Sequence, residues 1–218
     1  MSESDIAFTV FIVDDDPAVL GGLGRLLAAA GYPTRAFTSP QEFLSKHDPD
    51  LPGCAVFDLA MPEVDGLELQ RLLFASGVER PIIFLTGRGD ISASVRAMKA
   101  GAVDFLTKPV SSEALLEAVA RARDLDRKAR QHRRETASIE ARLAKLTARE
   151  REVFMHVVAG RLNKQIAGDL GTVEKTIKVH RGRMMSKLGV RTVQDLVRLA
   201  ERAGIRPQTK PETEEVEG

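Results

Sequence analysis

Residues 54–58 read Cys54-Ala55-Val56-Phe57-Asp58, an apolar run that closes on a carboxylate. Three other apolar runs end in complementary chemistry. Residues 8–13 lead into Asp14-Asp15-Asp16, residues 81–85 into Thr86-Gly87, and residues 103–106 into Thr107-Lys108-Pro109. Short apolar runs bounded by turn residues read as strands buried on both faces. Between them lie longer stretches with apolar residues at helical spacing, as in Val19, Leu20, Leu23, Leu26, Leu27 and Ala30. Strands that alternate with helices imply a parallel sheet covered on both faces, an α/β fold. In such a sheet ligands bind beyond the carboxyl ends of the strands. Carboxylates, a hydroxyl and an ammonium would then meet at one shallow edge.

Worked outward, the pattern predicts strands at 8–13, 32–37, 53–58, 82–85 and 103–106. Helices are expected from Pro17, behind an Asp16 cap, and at 39–44, 66–76, 91–100 and after Ser111. From about residue 120 to 146 the helical pattern continues, but large apolar residues thin out to Leu125, Ile139, Leu143 and Leu146. This reads as a solvated linker helix, with a partial coiled coil as the alternative. A second unit begins at Leu146. Thr147-Ala148-Arg149-Glu150 is a capping box. Asn163 is expected to cap a short helix at 164–170, Thr172 a longer one at 173–188, and Thr192 a last one to about 203. Four short helices with a glycine turn between the second and third match helix-turn-helix architecture. The expected domains are therefore 1–122, a helical linker at 123–145, 146–206, and a disordered acidic tail at 207–218.

A chain of 218 residues holds one large or two ordinary domains, and 43% hydrophobic content supports packed cores. A net charge of +1 gives no global sign of nucleic-acid binding. That average hides basic stretches at 121–134 and 175–191, balanced in part by the acidic residues 211–218. The single cysteine, Cys54, excludes an internal disulfide and reads as a buried, inert thiol in a reducing compartment. No signal peptide or membrane-spanning run is visible, so the cytoplasm is the expected location and no membrane partner is expected.

An aspartate attacks phosphorus poorly unless the charge of the incoming phosphoryl group is cancelled. Asp14, Asp15 and Asp58 would supply hard oxygen ligands for Mg2+, or another divalent cation such as Mn2+. Lys108 would neutralise a phosphoryl oxygen and the Thr86 hydroxyl would hydrogen-bond another. Backbone N–H groups near Ala60 and Gly87 are further candidate donors. Pro109 marks a turn that would aim Lys108 back at the site, a cis peptide being one way to do it. Each piece alone has a plainer explanation: Asp16 as a helix cap, a structural Thr, a common Lys-Pro pair. The four in this order, each at the end of its own strand, are what chance rarely assembles.

These residues resemble the receiver domain of two-component response regulators. Val13-Asp14-Asp15-Asp16, Phe57-Asp58-Leu59-Ala60-Met61-Pro62, Leu85-Thr86-Gly87 and Asp104-Phe105-Leu106-Thr107-Lys108-Pro109 carry the resemblance. It implies a flavodoxin-like five-stranded parallel sheet of order 2-1-3-4-5. It also implies roles: Asp58 as phosphoacceptor, Asp14, Asp15, Asp58 and the Ala60 backbone carbonyl around a magnesium ion, Thr86 and Phe105 as a switch pair, and Lys108 on the phosphoryl group. Val110 stands where an aromatic often follows Lys-Pro, and Ala60 where many relatives have Arg. Val95, Met98, Lys99 and Phe105 are candidates for a dimer or inter-domain contact, with ordinary core the alternative for Val95 and Met98.

In the second unit, Val173, Ile177, Met184 and Leu188 share one helix face and are expected to pack inward. Lys175, Thr176, Lys178, Val179, Arg181 and Arg183 lie on or beside the other face. A basic helix behind a short helix and a tight turn fits the major groove. Lys and Arg would contact phosphates, and few side chains would read bases. Leu146–Val153, Asn163-Lys164-Gln165-Ile166-Ala167, Thr176-Ile177-Lys178-Val179-His180-Arg181 and Lys187-Leu188-Gly189-Val190 resemble the LuxR-type DNA-binding domain. The whole chain resembles a FixJ/NarL-type response regulator, nearer FixJ. That implies a partner histidine kinase, a double-stranded DNA operator, a homodimer when phosphorylated, RNA polymerase as a further partner, and no enzymatic role. Two rivals stand beside this reading: a phosphorylation-independent DNA binder, and a phosphoryl-transferring enzyme that uses Asp58 in turnover.

Overall fold

The computed structural model describes residues 7–87 and 101–205. The expected helix at 91–100, with Val95, Met98 and Lys99, and the tail at 207–218 lie outside the described residues. The chain divides into two compact units, the first ending at Arg130 and the second beginning at Gln131.

The first unit is a five-stranded parallel sheet of order β2-β1-β3-β4-β5. Its strands are β1 (Thr9–Val13), β2 (Thr34–Phe37), β3 (Gly53–Asp58), β4 (Ile82–Thr86) and β5 (Asp104–Thr107). The helices are α1 (Pro17–Ala29), α2 (Pro40–Lys46), α3 (Gly66–Ala75) and the start of α4 (Ser112–Leu143). Every residue of β1, β3 and β4 is buried. Period-2 alternation divides them between two cores. Phe11, Val13, Ala55, Phe57, Ile82 and Phe84 pack on one face with Phe43, Leu69 and Leu73. Val10, Ile12, Cys54, Val56, Ile83 and Leu85 pack on the other with Leu20, Leu23, Leu27, Leu115 and Val119. This is the two-faced sheet that the unbroken apolar runs imply. Burial pushes the Cys54 thiol up to about 12, so it stays protonated and unreactive.

α4 is one helix from Ser112 to Leu143. Leu115, Ala118, Val119 and Ala122 belong to the first unit's core, and Ile139 and Leu143 to the second unit's. The thinning of apolar residues between them is real, but Ile139 and Leu143 are core residues, not solvated remnants of a linker.

The second unit adds α5 (Ala148–Val158), α6 (Asn163–Asp169), α7 (Glu174–Leu188) and α8 (Val193–Arg202). Val153, Phe154, Val157, Ile166, Ile177, Met184, Leu188, Leu196 and Leu199 form its core. The Thr147–Glu150 capping box is present, and so is one at Thr192 and Asp195. Three local expectations fail. Asn163 is the first residue of α6, not its cap. Leu162 holds the cap position, its N–H donating to Gln165 Oε1 at 2.9 Å. Val173, not Thr172, holds the cap position of α7, and at 65% exposure it does not pack inward. The turn between α6 and α7 passes through Gly171 at φ +60°, a conformation glycine adopts without steric cost.

Candidate phosphoryl-accepting site and nucleic-acid interface

Strand register builds the first site. Val13 pairs with Phe57, Asp58 with Leu85, and Thr86 with Thr107. The residues that follow or end these strands, Asp14, Asp58, Thr86 and Lys108, therefore share the carboxyl edge of the sheet. The Lys108 N–H donates to the Thr86 carbonyl at 2.7 Å, which locks the two loops side by side. The Lys108–Pro109 peptide is cis.

Lys108 Nζ lies 2.6 Å from Asp14 Oδ2 and 3.0 Å from Asp58 Oδ1. Asp14 is fully buried, and its other oxygen accepts from the Asp16 N–H at 2.9 Å. Oxygens of Asp14, Asp15 and Asp58 lie within 4.8 Å of one another, with Asp15 on the exposed side. Burial raises the Asp58 carboxyl above its ordinary value, the Lys108 hydrogen bond and charge oppose this, and the charges of Asp14 and Asp15 add to it. Burial alone would lower Lys108. Its hydrogen bonds to Asp14 and Asp58, and their charges, outweigh that and raise it. Lys108 is thus held as a cation between acids that repel one another. Three hard oxygen donors that converge around an exposed opening fit a divalent cation that retains waters.

Thr86 is buried, its hydroxyl donating to the Gly87 carbonyl at 3.0 Å. Phe105 is half-buried on β5, where it pairs with Phe84, two residues before Thr86. Ala60 is exposed just past β3. Gly66, passed over as a site residue in the sequence, opens α3 against β3: a Cβ there would stand 2.5 Å from the Asp58 carbonyl oxygen. Its signal is Asp65-Gly66, a cap followed by a residue without a side chain, eight positions after the acceptor strand ends.

In the second unit α7 offers an outward face. Lys175, Lys178, Val179 and Arg183 are exposed and Thr176 is half-buried. Val179 is 46% exposed. Arg181 is half-buried, and its Nη1 donates to Asn163 Oδ1 at 2.9 Å, bracing α7 against α6. Of the basic stretch at 121–134, Arg121 pairs with Asp104, Arg127 with Asp124 at 3.3 Å and Arg130 with Asp126 at 3.0 Å. Internal pairing therefore absorbs part of that charge.

Residues 10–120 match the response regulator receiver domain, and residues 144–200 match the bacterial regulatory proteins of the luxR family. The chain belongs to the response regulators that carry a LuxR-type DNA-binding domain. It is 41% identical to nodulation protein W of Bradyrhizobium diazoefficiens over 94% of this chain and 90% of that protein. It is 42% identical to the transcriptional regulatory protein FixJ of Azorhizobium caulinodans, over 91% of this chain and 94% of that one. The solved structure of the response regulator StyR is 44% identical, covers 90% of this chain and 99% of its own, and superposes with a TM-score of 0.81. The family is one of transcription factors, not enzymes. Among the described residues no helix is long and apolar enough to cross a membrane.

Proposed function

We propose that a partner histidine kinase phosphorylates this response regulator on Asp58, and that the modification drives homodimerisation and sequence-specific operator binding in the cytoplasm. One observation carries the reading: the Lys108 ammonium bridges Asp14 and Asp58 at the sheet edge. In the transfer, an Asp58 carboxylate oxygen forms a bond to phosphorus. The phosphorus–nitrogen bond of the donor phosphohistidine breaks, and the imidazole leaves with the electron pair. Lys108 neutralises a phosphoryl oxygen that arrives beside two buried carboxylates. Asp14, Asp15, Asp58 and the Ala60 carbonyl would hold Mg2+ or Mn2+, which when bound supplies further charge neutralisation. Thr86 turns its hydroxyl from the Gly87 carbonyl to the phosphoryl group, and Phe105 moves into the space released.

The outward face of α7 is the DNA-reading surface in this proposal. Lys178 and Val179 contact bases, while Lys175, Thr176 and Arg183 contact backbone or neighbouring bases. Arg181 serves DNA binding by holding α7 at its angle to α6 through Asn163. Two copies on a two-fold axis fit an inverted repeat, and RNA polymerase is the downstream partner.

The test is the mass in solution by light scattering, with magnesium, before and after adding beryllofluoride. A monomer that becomes a dimer, with Asp58→Asn unresponsive, supports the proposal. An unchanged mass overturns dimerisation as the switch.

A further inference from the structure

Where α4 ends and α5 begins, three arginines each donate to the carbonyl that closes a helix. Arg142 Nη1 donates to the Leu188 carbonyl, the last of α7, at 2.9 Å. Arg149 Nη2 donates to the Leu170 carbonyl, at the end of α6, at 2.7 Å. Arg151 Nη2 donates to the Leu143 carbonyl, the last of α4, at 3.3 Å. The last four carbonyls of a helix have no partner inside it, and a cation beside them offsets the negative end of the helix dipole. In α7 the N–H groups of Gly189 and Val190 return to the Ser186 and Met185 carbonyls. Leu188 is fully buried, and Arg142 brings its carbonyl a donor from another helix.

The same junction grips α7 a second time. Glu150, 3% exposed in the first turn of α5, accepts from Lys187 Nζ at 2.5 Å. Ile139 and Leu143 of α4 share one core with Ile177, Met184 and Leu188 of α7. Both helices of the helix-turn-helix are therefore held at their carboxyl ends by residues 142–150. Arg142 lies outside the segment, 144–200, that matches the luxR family. Charge alone would count these arginines among the phosphate contacts, but their donors are already committed. Arg149 Nη1 donates to Glu152 Oε2 at 2.8 Å, and Arg142 Nε to the Ser138 carbonyl at 3.3 Å. We propose that Arg142 and Arg149 are positioning residues for DNA recognition, which set α7 and α6 from their carboxyl ends without touching the duplex. The DNA-binding unit of this chain accordingly begins within α4, not at residue 146. The proposal rests on the reading of α7 as the DNA-contacting helix.

The test is duplex binding by the full-length chain, well below its unfolding midpoint, with hydrogen exchange of the same variants. The duplex is one that the unsubstituted chain enriches from a random library. Arg142→Met and Arg149→Met are each expected to weaken binding about five- to tenfold, with the slope of log affinity against log salt unchanged. Exchange is expected to speed about tenfold at 186–190 in the first variant and at 168–172 in the second. Arg142→Lys keeps a cation beside the α7 terminus but not the fork. It is expected to fall between, and it carries the test if the Met variant misfolds. Unchanged affinity in both Met variants would reduce the arginines to stability alone and overturn the proposal. A salt slope lowered by about 1 would make them phosphate contacts and overturn it too. A chain that enriches no duplex would sink the reading of α7 itself, and the brace would then stand or fall on exchange at 186–190 and 168–172.

Discussion

The Lys108 ammonium lies 3.0 Å from the Asp58 carboxylate, although the two residues are fifty positions apart and sit at the carboxyl ends of strands separated by β4. The cation that would receive a phosphoryl group is therefore already in place, held by the acids it will later share. Removing it leaves Asp14 and Asp58 buried and facing each other. Lys108→Met is expected to destabilise the first unit by about 1–3 kcal/mol, less than breaking a fully buried pair costs, because 26% of the lysine side chain meets water. The same substitution removes a charge that competes for the carboxylates. Magnesium affinity is expected to rise about tenfold. Urea unfolding and calorimetric titration check the two halves, and weaker magnesium binding would contradict the assignment of Asp14 and Asp58 as ligands.

Gly66 is expected to be nearly irreplaceable. A Cβ would lie 2.5 Å from the Asp58 carbonyl oxygen and 3.2 Å from its carbonyl carbon, and both are backbone atoms with no rotamer to yield. Either α3 moves away from β3 or the end of β3 moves. Gly66→Ala is expected to cost about 1–3 kcal/mol, the range for overpacking. It should also slow acetyl-phosphate labelling of Asp58 more than a stability loss explains. Labelling measured well below the unfolding midpoint separates the two effects. By contrast, a Cβ at Gly22 meets nothing, so Gly22→Ala serves as the control.

The sequence exposed the site because its chemistry is strictly local to strand ends. An apolar run must stop where the sheet does, and a carboxylate or lysine that follows at once has nowhere to go but the edge. The caps of α6 and α7 were not legible in that way. Asn163 is a strong capping residue by propensity, but its side-chain oxygen is taken by Arg181, eighteen positions later. Val173 is apolar and by pattern belongs inside, but it precedes the first turn of α7 and so faces away from the core. The contacts of Asp126 and Arg130 were hidden for a related reason. Asp126 and Arg130 look like an ordinary exposed i, i+4 pair, and only the fold brings Arg80 and the carbonyls of residues 50 and 51 to them.

The second unit is expected to lose stability in acid through Glu150. The Lys187 ammonium, 2.5 Å away, and the Thr147 N–H at 2.9 Å hold its carboxyl down at about 2, against 4.5 for the ordinary group. A carboxyl with a depressed value in the folded state favours folding wherever it is ionised in both states. That contribution is complete above about 4.5 and fades as the pH falls toward 2. Denaturant midpoints of the second unit at pH 6, 4 and 3 should fall in that order. Glu150→Gln should lower the midpoint at pH 6 and flatten its dependence below pH 4.5. A midpoint that rises on acidification would reverse the sign and exclude the pair as a source of stability.

The outward residues of α7 separate by what salt does to them. Lys178 carries a side chain that is 65% exposed and pairs only loosely, at 3.4 Å, with Glu174. If it meets a phosphate, Lys178→Ala weakens binding to every duplex alike and lowers the slope of log affinity against log salt by about 1. If it reads a base, the loss is concentrated at one operator position, about 1–3 kcal/mol for that base pair, and the discrimination there relaxes. Val179 has no charge to release, so Val179→Ala must leave the salt slope unchanged whatever it does to preference. Arg181, tied to Asn163, is expected to behave differently from both. Asn163→Ala and Arg181→Met should weaken binding by similar factors, and the double variant should lose little more than either alone, because residues that share one contact are not additive. The duplex for these titrations is one that the full-length chain enriches from a random library. Full additivity of the Asn163 and Arg181 losses, with a slope lowered by Arg181→Met alone, would make Arg181 a phosphate contact and not a brace.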